Sequence, residues 1–126
     1  MKISRQNHTR FNNMTSYQTG LFSEFLARMY LRLHGFRIVQ RRYTTGRNTG
    51  RAEIDIIARR GNLLIFVEVK RRADIITGLD AVTPRQSGRL RRAAETFIAR
   101  NGWTGNARFD IIVVVPHKIR WIRGAI

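Results

Sequence analysis

Two alternating apolar runs separated by a short turn are the feature that most restricts how this chain can fold. The segments from Glu53 to Ala58 and from Leu63 to Lys70 alternate with the period of two that is typical of β-strands. Between them, Arg60-Gly61-Asn62 has the chemistry of a turn. Runs joined this closely pair as an antiparallel hairpin. We therefore predict a β-hairpin over residues 53 to 70.

The other periodic segments predict helices and further strands. Thr83 before Pro84 marks the start of a helix, and Asn101-Gly102 marks its end. Three more strands are predicted over residues 36–43, 109–115 and 118–123, which gives the order α-β-β-β-α-β-β. A first helix ends at Gly35, and the residues of its apolar face recur at helical spacing: Phe22, Phe25, Leu26, Met29, Tyr30 and Leu33.

The length of 126 residues is that of one domain. We predict a flexible basic arm over residues 1–19 and a single domain over residues 20–126. The sequence contains no cysteine, which rules out disulfide scaffolds, thiolate nucleophiles and zinc fingers. Its apolar runs are too short to span a bilayer and no secretory signal is visible, so we expect a cytoplasmic protein without a membrane partner.

The charge balance is strongly positive, with 24 Lys+Arg against 8 Asp+Glu and a formal net charge of +16. Nearly all of the basic residues are arginine, whose planar fork suits phosphate groups. Nucleic acid is therefore the expected partner, with an anionic membrane surface as the competing interpretation. The arginines predicted to contact phosphates either follow the hairpin or line one side of the second helix: Arg71, Arg72, Arg85, Arg89 and Arg92. A solvated helix face is the alternative for the helical ones.

The few carboxylates are concentrated near the hairpin. Pairing of the two strands would place Asp55 and Glu68 on one side with Lys70 beside them. Carboxylate oxygens are the ligands that Mg²⁺ prefers, and a bound metal lowers the pKa of water and stabilises charge in phosphodiester hydrolysis. Lys70 would orient the attacking water or stabilise the transition state, and Glu24 on the first helix could add a further carboxylate. Alternatively, these acids only neutralise neighbouring arginines.

The run Glu53-Ile54-Asp55-Ile56-Ile57-Ala58 followed by Phe66-Val67-Glu68-Val69-Lys70-Arg71 resembles the YraN-like family of uncharacterised bacterial proteins. The resemblance covers about Gly20 to Val115 and includes Arg108-Phe109-Asp110. This family looks like a member of the restriction-endonuclease-like superfamily, with the pattern Asp…(Asp/Glu)-x-Lys, and is similar to archaeal Holliday-junction resolvases. The resemblance implies an α/β fold with a restriction-endonuclease-like core, in which helices flank a mixed β-sheet.

Residue by residue, the resemblance makes Asp55 and Glu68 the metal ligands and Lys70 the catalytic lysine. Glu24 becomes the acid carried on the helix, and Gln86 matches a polar position near the site. We therefore expect a Mg²⁺- or Mn²⁺-dependent nuclease that acts on DNA rather than RNA and selects its substrate by structure. A nucleic-acid-binding protein that keeps the fold without turnover is the alternative. Related resolvases work as dimers, so a homodimer is expected as well.

Overall fold

The computed structural model describes residues 16–46, 51–72, 83–116 and 118–125. They form two helices and five strands in the predicted order, which is thereby confirmed. The elements are α1 (Ser16–Leu33), β1 (Arg37–Thr44), β2 (Glu53–Arg60), β3 (Leu63–Arg71), α2 (Pro84–Asn101), β4 (Asn106–Val115) and β5 (Lys118–Ile122).

The strands form one mixed sheet in the order β1-β2-β3-β4-β5. The pair β2 and β3 is antiparallel, which confirms the predicted hairpin, and Gly61 in its turn has a φ of 58°. Only β3 and β4 are parallel; the other neighbours are antiparallel. Because parallel neighbours need a crossover, α2 runs back along the sheet and begins at the end where β3 finishes. The expected α/β fold with a mixed sheet flanked by helices is confirmed.

The ends of α2 follow from local chemistry. The side chain of Thr83 accepts a hydrogen bond of 3.2 Å from the backbone N–H of Gln86, and Pro84 is the first helical residue. At the other end, Gly102 has a φ of 60°, and its N–H donates to the carbonyl of Ile98. These contacts satisfy backbone groups that a helix end would otherwise leave unpaired. Both predicted ends of this helix are confirmed.

Each face of the sheet carries one helix. Helix α2 packs on one face, where its Leu90, Ala93 and Phe97 join Phe66 and Phe109 in one apolar cluster. Helix α1 packs on the other face through a second cluster, whose members are Ala27, Leu31, Phe36, Ile56, Ala58, Ile65, Val67, Ile112 and Val114. The sheet is therefore the middle layer of three.

The apolar face of α1 differs from the predicted one. The residues turned toward the sheet include Ser23, Ala27 and Leu31, which are all buried. Small side chains such as Ser and Ala let the helix approach the sheet closely. Four of the six residues predicted for the apolar face are instead exposed: Phe22, Phe25, Met29 and Leu33.

Some sequence-based predictions fall outside the described residues. Residues 1–15 of the predicted basic arm do, whereas its residues 16–19 belong to the first turn of α1 rather than to a flexible arm. Residues 47–50, which precede β2, and residues 73–82, which follow β3, also lie outside them. Within the described ranges, neither helix offers an apolar stretch that could span a membrane.

Candidate active site

The strands β2 and β3 separate at one end of the sheet, which we call the fork. Strand β2 begins at Glu53, but its pairing with β3 starts only at Ile56, opposite Val67. Beyond this point, a side-chain oxygen of Asp55 accepts a hydrogen bond of 2.8 Å from the backbone N–H of Val69. The Asp55 carboxylate thus satisfies a donor of β3 in place of a backbone carbonyl, which fixes its position against that strand.

The direction of the side chains in β2 also changes at the fork. Ile54 packs in the cluster on the α2 side, whereas Ile56 packs on the α1 side. Residues two positions apart normally face the same side of a sheet. The interruption falls at Asp55, between the two isoleucines, so the carboxylate lies where the regular strand geometry ends.

Glu68 and Lys70 form a buried ion pair on β3. Their atoms Oε1 and Nζ are 3.1 Å apart, and the side chains are 9% and 15% exposed. The second carboxylate oxygen of Glu68, Oε2, is buried and has no hydrogen-bond partner in the described part of the protein. A buried acceptor without a donor is costly and calls for an explanation. The ion pair therefore leaves Glu68 with one oxygen able to bind another group.

The carboxyl groups of Asp55 and Glu68 influence each other strongly. Burial, and after it the charge of Glu68, raises the pKa of Asp55 to about 8. Burial also raises the pKa of Glu68, against the opposing effect of Lys70. The charges of Glu24 and Glu53 add to both increases. Four acids therefore act on one small region, and a cation placed there would relieve their repulsion.

Glu24 is held beside this region by β1. Its Oε1 accepts a hydrogen bond of 3.1 Å from Nε of Arg42, and its side chain is 15% exposed. Arg42 has a φ of 51°, which is uncommon for a residue other than glycine. From this position its side chain extends to α1 and contacts Glu24. The structure thus brings Glu24 into the electrostatic field of Asp55 and Glu68, but its nearest partner is an arginine.

Gln86 lies in the first turn of α2, which the crossover places at the fork end of the sheet. The backbone N–H of Gln86 is used by the helix cap, and its half-buried side chain makes no hydrogen bond to another described residue. Its predicted role near the site stays a prediction.

The predicted phosphate-binding arginines also lie around the fork end. Arg71 ends β3, and the backbone N–H of Arg72 donates to the carbonyl of Val114. On α2, Arg85 and Arg92 are exposed and Arg89 is half-buried. The spacing of these three residues puts them on the helix side away from the sheet, where they are accessible to a polyanion.

The donor set suits a small divalent cation. Asp55 and Glu68 offer carboxylate oxygens, and Mg²⁺ is usually bound through one or two carboxylates together with water and substrate phosphates. Oε2 of Glu68 is the unpartnered oxygen that such an ion would use. Within the ranges that the structure describes, no group of three or more Asp, Glu or His side chains is arranged to hold a metal alone. The residues present therefore fit a metal whose other ligands are water and substrate.

Three features of the site are not predicted by the sequence analysis. They are the hydrogen bond from the N–H of Val69 to Asp55, the pairing of Arg42 with Glu24, and the effect of the charge of Glu53 on the pKa of both site carboxyl groups. Glu53 lies two residues before Asp55 in the same predicted strand, and this spacing is the signal from which its electrostatic effect could be predicted. The pairing of Arg42 with Glu24 joins residues 18 positions apart in different elements. No periodic signal in the sequence could have revealed this contact.

Asp110 is another buried acid of this chain, and its contacts differ from those of Glu68. It is fully buried on β4 and accepts a bidentate pair of hydrogen bonds from Arg108, each 2.8 Å long. The indole N–H of Trp121 and the backbone N–H of Gly124 donate to it as well. The hydrogen bonds from Trp121 and Gly124 fix β5 and the segment after it to β4. Both carboxylate oxygens of Asp110 therefore have donors. Glu68 differs from Asp110 in this respect.

Comparisons with known proteins point to one family. The model of the "Uncharacterised protein family UPF0102" matches residues 23–114, a range that contains every candidate site residue. A UPF0102 protein of Paramagnetospirillum magneticum is 38% identical over 109 residues, which are 85% of this chain and 84% of that protein. One of Rhodopseudomonas palustris strain HaA2 is 40% identical over 110 residues, 86% of this chain and 83% of that protein. One of Bartonella tribocorum is 35% identical over 119 residues, 93% and 88% of the two chains.

Proposed function

This chain belongs to the uncharacterised protein family UPF0102, and on that premise we propose that it is a Mg²⁺- or Mn²⁺-dependent nuclease that hydrolyses phosphodiester bonds in DNA. The observation that carries the proposal is the carboxylate pair at the fork, in which Asp55 is half-buried and the buried Glu68 keeps an unpartnered oxygen beside Lys70. The resemblance to restriction-endonuclease-like proteins and the excess of arginine support the same function.

Each site residue has a role that follows from its surroundings. Asp55 and Glu68 would hold the metal ion, which when bound lowers the pKa of a water molecule and stabilises charge on phosphorus. The hydrogen bond from Val69 keeps the Asp55 carboxylate turned toward β3. Lys70, whose ammonium group lies 3.1 Å from Glu68, supplies a positive charge at the position where the transition state gains negative charge.

Glu24 would take part indirectly. Its charge adds to the negative potential at Asp55 and Glu68, and Arg42 fixes its carboxylate. We propose Glu24 as a group that binds or orients water at the edge of the site. Arg71, Arg72, Arg85, Arg89 and Arg92 would attract the phosphates of the substrate, and Gln86 at the start of α2 would contact it.

A cleavage assay tests this proposal directly. The substrates are duplex, flap and four-way-junction DNA, each incubated with Mg²⁺, with Mn²⁺ or with EDTA. We expect metal-dependent cutting by the natural protein and its loss in Asp55→Asn, Glu68→Gln and Lys70→Met. The matched control is Glu95→Gln, because Glu95 is an exposed acid on α2 outside the fork. Cutting that persists unchanged in all three site variants would contradict the assignment.

A second function is favoured by one observation. Two cations of the candidate site already have carboxylate partners, since Lys70 pairs with Glu68 and Arg42 pairs with Glu24. Such pairing is also what a protein that binds nucleic acid without cutting it would keep for stability. Salt-sensitive binding to DNA with no cleavage of any substrate under any metal condition would favour this alternative.

A further inference from the structure

Helix α1 carries an apolar stripe on its outer side. Phe22 is 44% exposed, Phe25 is 48% exposed, and Met29 and Leu33 continue the stripe toward the far end of the helix. Exposed apolar residues in a contiguous row mark a surface used for contact with another molecule. Since α1 runs opposite to β1, Phe22 and Phe25 lie toward the fork end of the sheet, while Leu33 lies at the other end.

A row of charged residues accompanies this stripe. Glu24, Arg28 and Arg32 are spaced four residues apart and run along one side of α1 next to the apolar stripe; Arg32 is exposed, whereas only 8% of Arg28 is exposed. The guanidinium group of Arg28 lies over the ring of Phe25, with 5.9 Å from Cζ to the ring centroid. Arg42 on the neighbouring strand contacts Glu24. The aromatic rings are therefore bordered by guanidinium groups.

The guanidinium groups of this border repel one another. Burial, and after it the charge of Arg41, lowers the pKa of Arg28. The charges of Arg32 and Arg42 also lower the pKa of Arg28, and the charge of Glu24 offsets only part of this effect. Among the described residues, Arg28 forms no ion pair within 4.0 Å, and Glu24 is the carboxylate that acts on it. An anion bound at the exposed Arg32 and Arg41 would neutralise part of this excess of positive charge.

We propose that this surface, the α1 platform, binds a single-stranded segment of nucleic acid next to the candidate active site, with unpaired bases stacked on Phe22 and Phe25. Proteins that bind single strands combine aromatic rings that stack on bases with arginines that follow the phosphates. Glu24 links the two regions, because its charge acts both on Arg28 and on the carboxyl groups of Asp55 and Glu68. The inference rests on the proposed function, since it takes nucleic acid as the ligand, and it specifies a substrate with an unpaired strand.

Charge argues against a second copy of the chain as the occupant. A symmetric dimer brings the same patch of each subunit together. Here that contact would bring the exposed Arg32 and Arg41 of each subunit close to those of the other, with Glu24 as the acid between them. A polyanion with apolar faces, as an unpaired strand is, satisfies both the arginines and the rings.

Binding in EDTA tests the platform independently of cleavage. The probes are a dye-labelled oligothymidylate single strand and the duplex that it forms with oligoadenylate, and the readout is fluorescence anisotropy. The variant Phe22→Leu/Phe25→Leu keeps apolar side chains but removes both rings, whereas Phe22→Tyr/Phe25→Tyr keeps the rings. Leu33→Ala is the matched control at the opposite end of the stripe. Melting temperatures of all variants verify that they fold.

Stacking predicts a specific pattern of affinities. The double leucine variant should lose about five-fold or more in single-strand affinity for each ring, and the double tyrosine variant should stay within about two-fold of the natural protein. Duplex affinity should change by less than about two-fold in both variants, since paired bases are not available for stacking. Leu33→Ala should bind like the natural protein.

Other results would overturn the platform. Equal affinity for the single strand and the duplex, unchanged by the leucine substitutions, would contradict single-strand binding at this surface. A dimer that light scattering detects and that the leucine substitutions dissociate would contradict it as well. Preferential binding to anionic phosphatidylglycerol vesicles that the leucine variant retains would assign the stripe to a lipid surface instead. Duplex cleavage without single-strand binding would leave the proposed function standing and remove the platform alone. Absence of metal-dependent cleavage would remove the nuclease and leave the platform intact.

Discussion

The backbone N–H of Val69 donates a hydrogen bond of 2.8 Å to the carboxylate of Asp55 at the point where the ladder between β2 and β3 ends. This contact joins the two halves of the candidate site. It uses a backbone group of the strand that carries Glu68 and Lys70 to orient the acid on the neighbouring strand. Where the strands separate, the hydrogen bond thereby fixes the half-buried carboxyl group of Asp55, whose pKa is raised to about 8.

The raised pKa of Asp55 predicts that the metal-free protein loses stability as the pH rises. Below about pH 4 the Asp55 carboxyl is protonated in both the folded and the unfolded chain, so it has little effect. Between about pH 4 and about pH 8 the unfolded chain releases this proton while the folded protein keeps it, so the free energy of unfolding decreases with pH. Above about pH 8 the decrease is complete.

The variant Asp55→Asn isolates this contribution. Asparagine is neutral at every pH and its carbonyl oxygen can accept the hydrogen bond from Val69. In EDTA, we expect the variant to become more stable than the natural protein as the pH rises through this window, as measured by urea unfolding at several pH values. Glu95→Gln should follow the natural protein. A constant difference between Asp55→Asn and the natural protein from pH 4 to pH 9 would show that Asp55 titrates normally.

The ion pair between Glu68 and Lys70 predicts strongly non-additive effects on stability. Lys70→Met leaves a carboxylate with a 9% exposed side chain and no counter-charge, which costs about 3 to 5 kcal/mol when the carboxylate stays ionised. The loss should be smaller at low pH, because removal of Lys70 raises the pKa of Glu68 further and the group takes up a proton. Urea unfolding at pH 5 and pH 8 measures both effects.

A double-mutant cycle separates the pair from its surroundings. The variant Glu68→Gln/Lys70→Met has no buried charge at these positions, so it should be more stable at pH 8 than Lys70→Met alone. Glu68→Gln alone should be affected less than Lys70→Met, since the lysine side chain is 15% exposed and can turn toward water. If the two single changes simply add in the double variant, the ion pair makes no contribution of its own.

Local signals explain why the hairpin and α2 could be predicted from the sequence. The turn at Gly61, the cap at Thr83 and the stop at Gly102 each depend on residues within a few positions of one another. The register of the hairpin then follows from its turn, and with it the closeness of Asp55 and Glu68. The charge of Glu68 raises the pKa of Asp55, in keeping with this closeness, whereas the assignment of both residues as metal ligands stays a prediction.

The outer face of α1 could not be predicted in the same way. Phe22 and Phe25 recur at helical spacing, yet the helix turns Ala27 and Leu31 toward the sheet instead. Which side of a helix is buried depends on how closely it can approach its neighbour, and that depends on residues distant in sequence. The contact between Glu24 and Arg42 has the same origin, because it forms only after α1 has packed beside β1.

Two glycines should respond oppositely to substitution by alanine. In Gly88→Ala the new Cβ would meet, among the described residues, only Nη1 of Arg92, at 3.7 Å, so the helix should gain about 1 kcal/mol from the better helix former. In Gly105→Ala the Cβ would lie 2.6 Å from Cζ2 of Trp103 and 2.7 Å from the carbonyl oxygen of Asn62. Relieving these overlaps should cost about 1 to 3 kcal/mol.

Thermal unfolding of the two glycine variants checks the packing between the turn of the hairpin and the start of β4. This region lies at the end of the sheet opposite the fork, where the N–H of Asn106 donates to the carbonyl of Asn62. A neutral effect of Gly105→Ala would mean that the two loops are not in contact as described. Gly88→Ala serves as the matched substitution without a close neighbour.

The arginines of α2 predict how DNA binding depends on salt. Each phosphate that an arginine neutralises adds about −0.9 to the slope of the logarithm of duplex affinity against the logarithm of salt concentration. If Arg85, Arg89 and Arg92 each contact one phosphate, the triple change to glutamine should reduce the slope by about 2.7. Arg100→Gln is the control, because Arg100 is exposed at the other end of the same helix.

Arg85 also lies at the positive end of the helix dipole, where a cation is unfavourable, so Arg85→Gln should raise the melting temperature while it weakens binding. Opposite changes in stability and affinity from one substitution are characteristic of a charge placed for binding. A triple variant with unchanged slope would show instead that this side of α2 is only solvated.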